Sequence, residues 1–549
     1  MVAGAKTCPS PTARSIRASA ARPATASETS MTEMAQAHGR GRPPASTEMA
    51  ATPGNSTPAS VVSASAKPAA ITASRSRRAK RPRATGFVIA QTFFLFYEKL
   101  LLRFGDYGMQ SKCATRSVPR RRLVGGLAAL ALLAGCASAR PPHPRAITDV
   151  AAVIDGAAAG DPAPLAGALV RAHGAQAALL RARLAALRLD RAGAERALGT
   201  YFAAHDTDPR RQAIAWATRG EAAFAAGDYA AAATAIEAWQ RLPRAGWHAG
   251  EEASMAQTLT IARLLRAQPR QAVIGGTPGT VATSRDRVGL VRAMVRVNGV
   301  AQDAVLDTGA NLPVVAASTA GRLGLRILDG GGSVASVTAR QVTTRVAIAD
   351  RLDIAGVTLA HVVFLVMDDS QLSFPVAGGY QIGAIIGFPV FRALGRVRFD
   401  NAGGFAAGRA AGPALDADNL RVSGNDLYVL ARVGGFATAL HLDTGAGRSG
   451  LTSRFAMLHP FVATFPTGSD TLMGAGGGAV ARRTAIWRQV GITIGARSLT
   501  LPELAIATDA PKGQDEDRLG NIGQDVLGAF GSYTIDFDRM GFALGPPRG

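Results

Sequence analysis

The 549-residue chain is poor in cysteine, in aromatic residues and in charged residues. It holds three cysteines, Cys8, Cys113 and Cys136, which are too few for a disulfide framework or a zinc cluster. Aromatic residues make up 6% and charged residues 18%, whereas 47% of the residues are apolar. A chain of this length and apolar content exceeds one compact domain and is not disordered throughout. We therefore expect two or more folded units with tails.

Acidic residues are scarce relative to basic ones, and the imbalance is uneven along the chain. The formal net charge is +22, and residues 1–135 alone carry 20 Lys and Arg against 5 Asp and Glu. A basic protein normally suggests a nucleic-acid partner. Here most of the excess lies outside the part predicted to fold, so we expect no nucleic acid as a partner. Residues 1–85 lack any strand or helix period, and residues 1–108 are interpreted as a disordered or mis-assigned upstream extension.

Residues 109–135 have the organisation of a secretory signal peptide. A basic segment ending in Arg122 precedes an apolar stretch over residues 123–134, which is too short for a stable membrane span. The alternative is an apolar helix that ends in Gly-Cys by coincidence. Because signal peptides belong at the N-terminus, we expect translation to begin at Met109.

The residues that precede Cys136, Leu133-Ala134-Gly135, resemble the bacterial lipobox. The resemblance implies cleavage before Cys136 and lipidation of this cysteine, so that residues 136–146 tether the protein to a bacterial membrane. Ala137 stands where an aspartate would retain such a lipoprotein in the inner membrane. The resemblance therefore implies the periplasmic face of the outer membrane as the location.

Residues 147–270 are rich in Ala, Leu, Arg and Glu, with apolar residues at helical spacing and turn signals between them. They predict an all-α segment of helical hairpins. One stretch resembles the tetratricopeptide pattern through Trp216, Gly220, Ala223, Gly227, Asp228, Tyr229, Ala232 and Ile236. A plain helical bundle is the alternative. Since the segment offers no cluster of titratable groups, we expect it to contact a protein partner or to act as a spacer, leaving the β region with a core of its own.

From about residue 280, short β-branched stretches alternate with glycine, which is typical of an all-β region. The tetrapeptide Asp-Thr-Gly-Ala occurs at residues 307–310 and again at residues 443–446, so the offset is 443 − 307 = 136. The same offset maps Val297 onto Val433. An internal duplication explains both observations. The predicted lobes span residues 280–412 and 418–549.

The duplicated motif resembles that of the aspartic protease clan of retropepsins and pepsins. In that family each lobe supplies an apolar strand, an Asp-Thr-Gly loop and, later, two apolar residues followed by glycine. The first lobe has Ile385-Ile386-Gly387 and the second has Asn521-Ile522-Gly523, with Asn521 where an aliphatic residue is usual. The fold implied for the whole chain is multidomain, with the helical segment followed by an all-β bilobal aspartic-protease domain.

The resemblance implies an aspartic endopeptidase that acts on polypeptides, without a cofactor, through a pair of aspartates that activates water. It assigns Asp307 and Asp443 as catalytic. It assigns supporting roles to Thr308, Gly309, Thr444, Gly445, Gly387 and Gly523. We expect the threonine hydroxyls to join the two loops through hydrogen bonds to backbone. Family members also carry a hairpin that closes over substrate, and the glycines near residues 330–333 and 474–478 are the candidates.

Other chemistries find less support in the sequence. The histidines His361, His441 and His459 are scattered and lack metal-binding spacing, so we expect no metal site and interpret His441 as a strand neighbour of Asp443. The alternative to an enzyme is a non-catalytic lipoprotein that binds peptides or a protein partner through a relic protease fold.

Overall fold

The computed structural model describes residues 149–247, 250–335, 341–374, 378–474, 478–510 and 517–548. The predicted upstream extension, signal peptide and tether, and with them all three cysteines, lie outside these residues. No described helix is long and apolar enough to cross a membrane.

Within the described residues, seven helices form the segment that precedes the β region. They are α1 Val150–Gly156, α2 Ala163–Leu169, α3 Gly174–Leu187, α4 Arg191–Ala203, α5 Pro209–Ala225, α6 Tyr229–Gln240 and α7 Glu251–Leu265. Four of them begin after an aspartate whose side chain accepts a hydrogen bond from the backbone N–H three residues later, a favourable N-cap. These caps are Asp149, Asp190, Asp208 and Asp228.

The helices α5 and α6 approach closely at Gly220. A β-carbon on Gly220 would come within 2.8 Å of Cγ1 of Ile236, so a larger residue would push the helices apart. Both residues belong to the stretch that resembles a tetratricopeptide repeat. The small residue therefore lies at the helix contact, while the tetratricopeptide assignment itself stays a prediction.

The β region consists of two lobes whose strands follow the glycine-punctuated pattern of the sequence. Lobe 1 contains β1 Ala272–Gly276, β2 Thr280–Arg285, β3 Val291–Val297, β4 Val300–Leu306, β5 Val314–Ala316, α8 Ala317–Arg322, β6 Arg326–Ala335, β7 Gln341–Ile354, β8 Val357–Met367, β9 Ser373–Phe374, β10 Tyr380–Gln381, β11 Ala384–Ile386, α9 Phe388–Ala393, β12 Arg396–Asp400 and β13 Gly404–Ala407. Lobe 2 contains β14 Leu420–Ser423, β15 Asp426–Val433, β16 Phe436–Leu442, β17 Gly450–Leu451, α10 Ser453–Leu458, β18 Thr467–Gly474, β19 Gly478–Ile494, β20 Arg497–Ala507, β21 Gly520–Ile522, α11 Gln524–Leu527, β22 Ser532–Asp536 and β23 Gly541–Leu544. Short 3-10 turns span Arg244–Gly246, Asp369–Leu372, Gly408–Ala411 and Pro460–Thr464.

The two lobes repeat the same strand pairing. In lobe 1, β11 runs parallel to β4 with Ile386 opposite Leu306, and in lobe 2, β21 runs parallel to β16 with Ile522 opposite Leu442. Both residues of each pair are shifted by 136, the offset found in the sequence. The predicted duplication therefore holds at the level of strand register.

A tight turn connects the first two strands of each copy. Asn298 and Gly299 join β3 to β4 with φ angles of 49° and 83°, and Gly434 and Gly435 join β15 to β16 with φ angles of 56° and 90°. Asn and Gly adopt positive φ at low cost, and consecutive positive φ angles match the twist of a hairpin. The predicted hairpins leading into both Asp-Thr-Gly loops are thus present.

The two lobes share one sheet at their ends. The strands β22 and β23, at the C-terminal end of lobe 2, extend the sheet of lobe 1 through pairing of β22 with β12. An ion pair of 2.8 Å joins Arg396 Nε on β12 to the fully buried Asp536 Oδ2 on β22. Strand pairing and this ion pair therefore connect the lobes independently of the Asp-Thr-Gly loops.

The helical segment shares a hydrophobic core with lobe 1. Tyr229 of α6 and Ile261 and Leu265 of α7 are buried in one cluster with strand residues that include Val305 and Val314. The β region has the core of its own that the sequence predicted, a large cluster that includes Val295 and Phe364, but lobe 1 also shares this second core with the helical segment. Amphipathic helices bury their apolar faces against whichever surface is complementary, and here that surface is the sheet of lobe 1.

The helical segment also contacts lobe 2. The backbone N–H of Ala159 donates to the carbonyl of Asp517 at 2.9 Å, and the Arg454 guanidinium donates to the carbonyl of Gly156 at 2.9 Å. Arg188 of α3 forms an ion pair with Asp418. The helices thus contact both lobes and do not act as a free spacer.

Candidate active site

The two Asp-Thr-Gly loops meet through the hydroxyl groups of their threonines. The Thr308 hydroxyl donates to the carbonyl of Leu442 at 2.6 Å and accepts from the Thr444 N–H at 3.1 Å. The Thr444 hydroxyl donates to the carbonyl of Leu306 at 2.9 Å and accepts from the Thr308 N–H at 2.9 Å. Both threonines are fully buried. Each loop therefore satisfies backbone groups of the other, as expected from the sequence.

The glycines of the two loops leave room for the opposite carboxyl group. A β-carbon on Gly309 would lie 2.6 Å from Oδ1 of Asp443, and one on Gly445 would lie 2.5 Å from Cγ of Asp307. Any side chain at these positions would displace a carboxyl group. Close approach of backbone to the site is thus the physical reason for glycine here.

Each loop also contacts the later segment of its own lobe in which two residues precede a glycine, Ile386-Gly387 in lobe 1 and Ile522-Gly523 in lobe 2. The N–H of Asp307 donates to the carbonyl of Ile386 at 2.9 Å, and the N–H of Asp443 donates to that of Ile522 at 3.0 Å. A β-carbon on Gly387 would lie 2.4 Å from the carbonyl oxygen of Ala310.

Lobe 2 repeats this contact. A β-carbon on Gly523 would lie 2.7 Å from the carbonyl oxygen of Ala446. Both glycines have extended backbone, so space and not φ requires them. The structure thus brings together all eight residues of the sequence prediction, the two aspartates and the six residues that were assigned supporting roles.

The two carboxyl groups lie against each other and are joined by a hydrogen bond. Burial, and then the neighbouring charge of Asp307, raise the pKa of Asp443 to about 8. Burial also raises the pKa of Asp307, although backbone N–H donors oppose the shift. Two carboxyl groups this close cannot both ionise readily, so the pair holds one proton over a range that extends to near-neutral pH.

The backbone donors treat the two carboxyl groups unequally. Oδ1 of Asp307 accepts from the N–H of Gly309 at 2.8 Å and from that of Gly445 at 3.1 Å. Oδ1 of Asp443 accepts from Gly445 alone, at 2.9 Å. Donors to a carboxylate favour its ionised form. The arrangement therefore favours Asp307 as the charged partner and Asp443 as the partner that carries the proton.

A cleft of about 900 Å³ contains both carboxyl groups. Its walls come from both lobes and from the helical segment. The helical residues are Glu221 and Phe224 of α5 and Ser254, Met255, Gln257, Thr258 and Ile261 of α7. The sequence did not predict this contribution, because nothing in the local pattern of a helix indicates which distant surface it covers.

Comparison with known proteins addresses lobe 1 directly. Residues 293–390 match the family model described as aspartyl protease, and this range contains both Asp307 and Gly387. The matched residues lie within lobe 1 and make up less than half of the chain. A crystal structure of a retropepsin-like aspartic protease from Rickettsia conorii aligns with 24% of this chain and 94% of its own, at 16% identity and a TM-score of 0.18. No curated protein matches the chain.

The hairpins that the sequence proposed as covers of the cleft are β6–β7 in lobe 1 and β18–β19 in lobe 2. In lobe 1 the hairpin rests on α7, because β-carbons on Gly330 and Gly332 would come within 3.0 Å of Leu264 and Thr260. In lobe 2, Gly474 lines the cleft, and residues 475–477 lie outside the described residues. The helical segment therefore supports the hairpin of lobe 1.

A buried polar cluster next to Asp443 was missed in the sequence. Arg518 forms an ion pair with Asp426 and donates to the hydroxyl of Tyr428 at 3.2 Å. Nε2 of His441 lies 3.7 Å from Oδ1 of Asp426. Burial, and then the positive charge of Arg518, lower the pKa of His441 well below its usual value, so the ring is neutral.

The offset of 136 was the signal that could have revealed this cluster. It maps Asp426, His441 and Arg518 onto Leu290, Val305 and Ile382, so three polar residues replace apolar ones at equivalent positions.

The remaining histidines of the sequence analysis do not join the site. His459 packs against Phe455 and Phe461 in lobe 2, and His361 lies on β8. Among the described residues, no group of three or more His, Cys, Asp or Glu side chains is placed to hold a metal ion.

Proposed function

We propose that this chain is an aspartic endopeptidase that hydrolyses peptide bonds of polypeptide substrates through Asp307 and Asp443. The observation that supports the proposal most is the pair of hydrogen-bonded carboxyl groups on duplicated loops inside a large cleft. The aspartyl protease family match supports a peptidase fold for lobe 1. A cleft flanked by strand-rich walls suits an extended polypeptide, which is the substrate class that the family implies.

The proposed reaction needs one ionised and one protonated carboxyl group. Asp307 takes a proton from a water molecule while the water oxygen attacks the carbonyl carbon of the scissile amide. Asp443 donates a hydrogen bond to the carbonyl oxygen and stabilises the negative charge that develops there. The tetrahedral intermediate then collapses and the C–N bond breaks, while the proton that Asp307 took from water passes to the leaving nitrogen. The products are a carboxyl terminus and an amino terminus, and the pair is left with the single proton with which it began.

Asp307→Asn and Asp443→Asn should each abolish cleavage of casein or a peptide library, because an amide can neither share the proton nor act as the base. A statine-type inhibitor should block the unsubstituted protein. The matched control is Asp416→Asn, since Asp416 is exposed and does not line the cleft, and it should keep full activity. Substantial activity in either Asn variant of the pair would overturn the shared-proton mechanism. Complete inactivity of the unsubstituted protein would favour the peptide-binding scaffold instead.

We further propose that Cys136 is lipidated and that the protein is anchored at the periplasmic face of a bacterial outer membrane. The support is the signal-peptide pattern of residues 109–135, together with the lipobox-like residues before Cys136. Labelled palmitate should enter the protein but not its Cys136→Ser variant. Peptides from residues 1–100 in the cellular protein would contradict translation from Met109.

The helical segment, proposed from sequence to recruit a partner, has a more direct role in this proposal. Met255 and Ile261 of α7 line the cleft beside lobe 1, so we propose that α7 forms part of the substrate-binding wall. Met255→Ala should raise KM for peptides more than it lowers kcat. An unchanged KM would limit the segment to structural support.

A further inference from the structure

The two lobes present different surfaces to the cleft at positions that strand pairing makes equivalent. In each lobe, five residues that are pairing partners on successive neighbouring strands form a row across the sheet. The lobe 1 row is Val305, Ile385, Val314, Leu365 and Val346. The lobe 2 row is His441, Asn521, Gly450, Ala505 and Ile486. All of these except Val346 line the cleft. The lobe 1 row is apolar throughout, whereas the lobe 2 row has two polar residues, two small residues and Ile486.

The lobe 1 half of the cleft is built for an apolar group. Val305, Ile385, Val314 and Leu365 are each at most 7% exposed and belong to one hydrophobic cluster. Phe224 and Ile261 of the helical segment add further apolar surface to the same part of the cleft. An extended substrate gains free energy here by burying an aliphatic or aromatic side chain, at roughly 25 cal/mol per Å².

The lobe 2 half has room where lobe 1 has side chains. Gly450 replaces Val314 and Ala505 replaces Leu365 in the row. A β-carbon built on Gly450 meets nothing closer than 3.5 Å, and its three nearest atoms are all polar. They are the carbonyl oxygen of Ala505 at 3.5 Å, Oδ1 of Asn521 at 3.7 Å and Nη2 of Arg482 at 3.8 Å. The hollow above Gly450 thus offers two acceptors and one donor.

Several polar atoms of residues that line the lobe 2 side of the cleft lack a partner within the described residues. Nε of Arg482, Oγ1 of Thr484 and Nε2 of His441 are buried without a hydrogen bond. Thr484 and His441 are 1% and 4% exposed. A buried polar group without a partner costs about 1–3 kcal/mol. A ligand that both donates and accepts hydrogen bonds would remove that cost.

The guanidinium groups of Arg482 and Arg518 near the hollow are already paired, so neither calls for a charged ligand, and Arg448 of the same lining is exposed. Nη2 of Arg482 lies 3.0 Å from Oδ2 of Asp470, and Arg518 is paired with Asp426. An uncharged group that carries both N–H donors and a carbonyl acceptor matches this lining best. Among amino-acid side chains, the carboxamides of asparagine and glutamine fit that description.

We propose that the cleft distinguishes the two residues that flank the scissile bond, taking an apolar side chain against lobe 1 and an asparagine or glutamine side chain against lobe 2. This inference rests on the proposed endopeptidase function. Because the loops are duplicated, a peptide bond held between Asp307 and Asp443 directs the two halves of the substrate towards equivalent surfaces of opposite lobes. Those surfaces differ in chemistry, so they select different side chains.

The cleavage test compares the substrate preference of the full chain with that of two variants. Each variant replaces a residue of the lobe 2 row with the residue at the equivalent position of the lobe 1 row. Peptide-library products of the unsubstituted protein should show Asn or Gln on one side of the cleaved bond and an apolar residue on the other. The preference for Gln over Leu should reach at least about tenfold in kcat/KM, the value of roughly one buried hydrogen bond. Gly450→Val fills the hollow and Asn521→Ile removes an acceptor, so either should abolish the preference.

A matched control is Gly491→Val, because Gly491 lies on β19 outside the cleft and a β-carbon there meets nothing within 4 Å. Its library profile should equal that of the unsubstituted protein. Equal cleavage of Gln and Leu peptides by the unsubstituted protein, or an unchanged preference in Gly450→Val, would overturn the inference while leaving the endopeptidase proposal intact.

A binding measurement separates the two proposals when no cleavage occurs. Fluorescence anisotropy of two labelled peptides, one with Leu-Gln and one with Leu-Leu at its centre, is measured with the Asp307→Asn variant of the full chain. The Leu-Gln peptide should bind at least about tenfold more tightly, and Gly450→Val should remove the difference. Equal affinities would refute the side-chain selectivity even if the protein cleaves neither peptide.

Discussion

Replacing Thr308 with valine should destabilise the junction of the two lobes strongly. Valine keeps the shape of threonine but lacks the hydroxyl, so the carbonyl of Leu442 and the N–H of Thr444 lose their partners at a fully buried position. Each unpaired backbone group costs about 1–3 kcal/mol. The added methyl group returns about 0.8 kcal/mol. The expected loss in the free energy of unfolding is therefore about 1–5 kcal/mol.

Urea unfolding followed by circular dichroism measures this loss, and Thr308→Ser serves as the control. Serine keeps the hydroxyl and removes one methyl group, so it should cost only about 1 kcal/mol. Thr444→Val removes the equivalent pair of hydrogen bonds from the other loop and should cost a similar amount to Thr308→Val. A valine variant as stable as the serine variant would refute the reasoning, because the hydroxyl would then contribute nothing.

Three further results are expected. The pKa of about 8 for Asp443 lies above the value of about 4 for an unfolded aspartate, so the stability that this proton contributes is full below about pH 4 and is lost as pH rises towards 8. Asp443→Asn should therefore remove this pH dependence from the free energy of unfolding measured across that range. An unchanged pH dependence in the variant would contradict the assignment of the proton to Asp443. We expect the unsubstituted protein to have a bell-shaped rate profile centred in the weakly acidic to near-neutral range. Ala310→Ser adds a hydroxyl donor beside Asp307, which should lower the pKa of that carboxyl and move the acidic limb of the measured rate profile to lower pH. Leu265→Ala, in the core shared by α7 and lobe 1, should cost about 2–5 kcal/mol in urea unfolding, whereas Val170→Ala at an exposed position should cost little; equal costs would argue against a shared core.

The duplication and the loop geometry could be predicted from sequence because local rules fix them. Strand register follows from alternating apolar residues and from the turn that joins the strands, so an offset of 136 in sequence became an offset of 136 in pairing. The positions of the Asp-Thr-Gly loops are similarly constrained, since the Thr308 hydroxyl must reach both the carbonyl of Leu442 and the N–H of Thr444 in the opposite loop. Chemistry that depends on neighbours in sequence or on a repeated motif is accessible without a structure.

The packing of the helical segment could not be predicted in the same way. Tyr229 belongs to the stretch that resembles a tetratricopeptide repeat, and in that pattern its expected contacts are with other helices. In the structure it is buried in the cluster shared with lobe 1, together with Leu265. An apolar helix face shows that something covers it, but its sequence carries no mark of the partner surface. Two surfaces separated by tens of residues become neighbours only through the whole fold.

Duplication within one chain also explains why the lobes differ where they do. Thr308 and Thr444 each hydrogen-bond the backbone of the opposite loop, and Gly309 and Gly445 each make room for the opposite carboxyl group, so a change in one copy disturbs both. The rows that line the cleft beyond the loops contact substrate space and their own lobe instead. In a symmetric dimer, one sequence position contributes the same residue to both halves of the site. A polar residue that suits one side of the substrate is therefore also present on the opposite side, where it is not needed. A single chain with two copies escapes that restriction, so His441 can differ from its counterpart Val305 while the loops beside them stay alike.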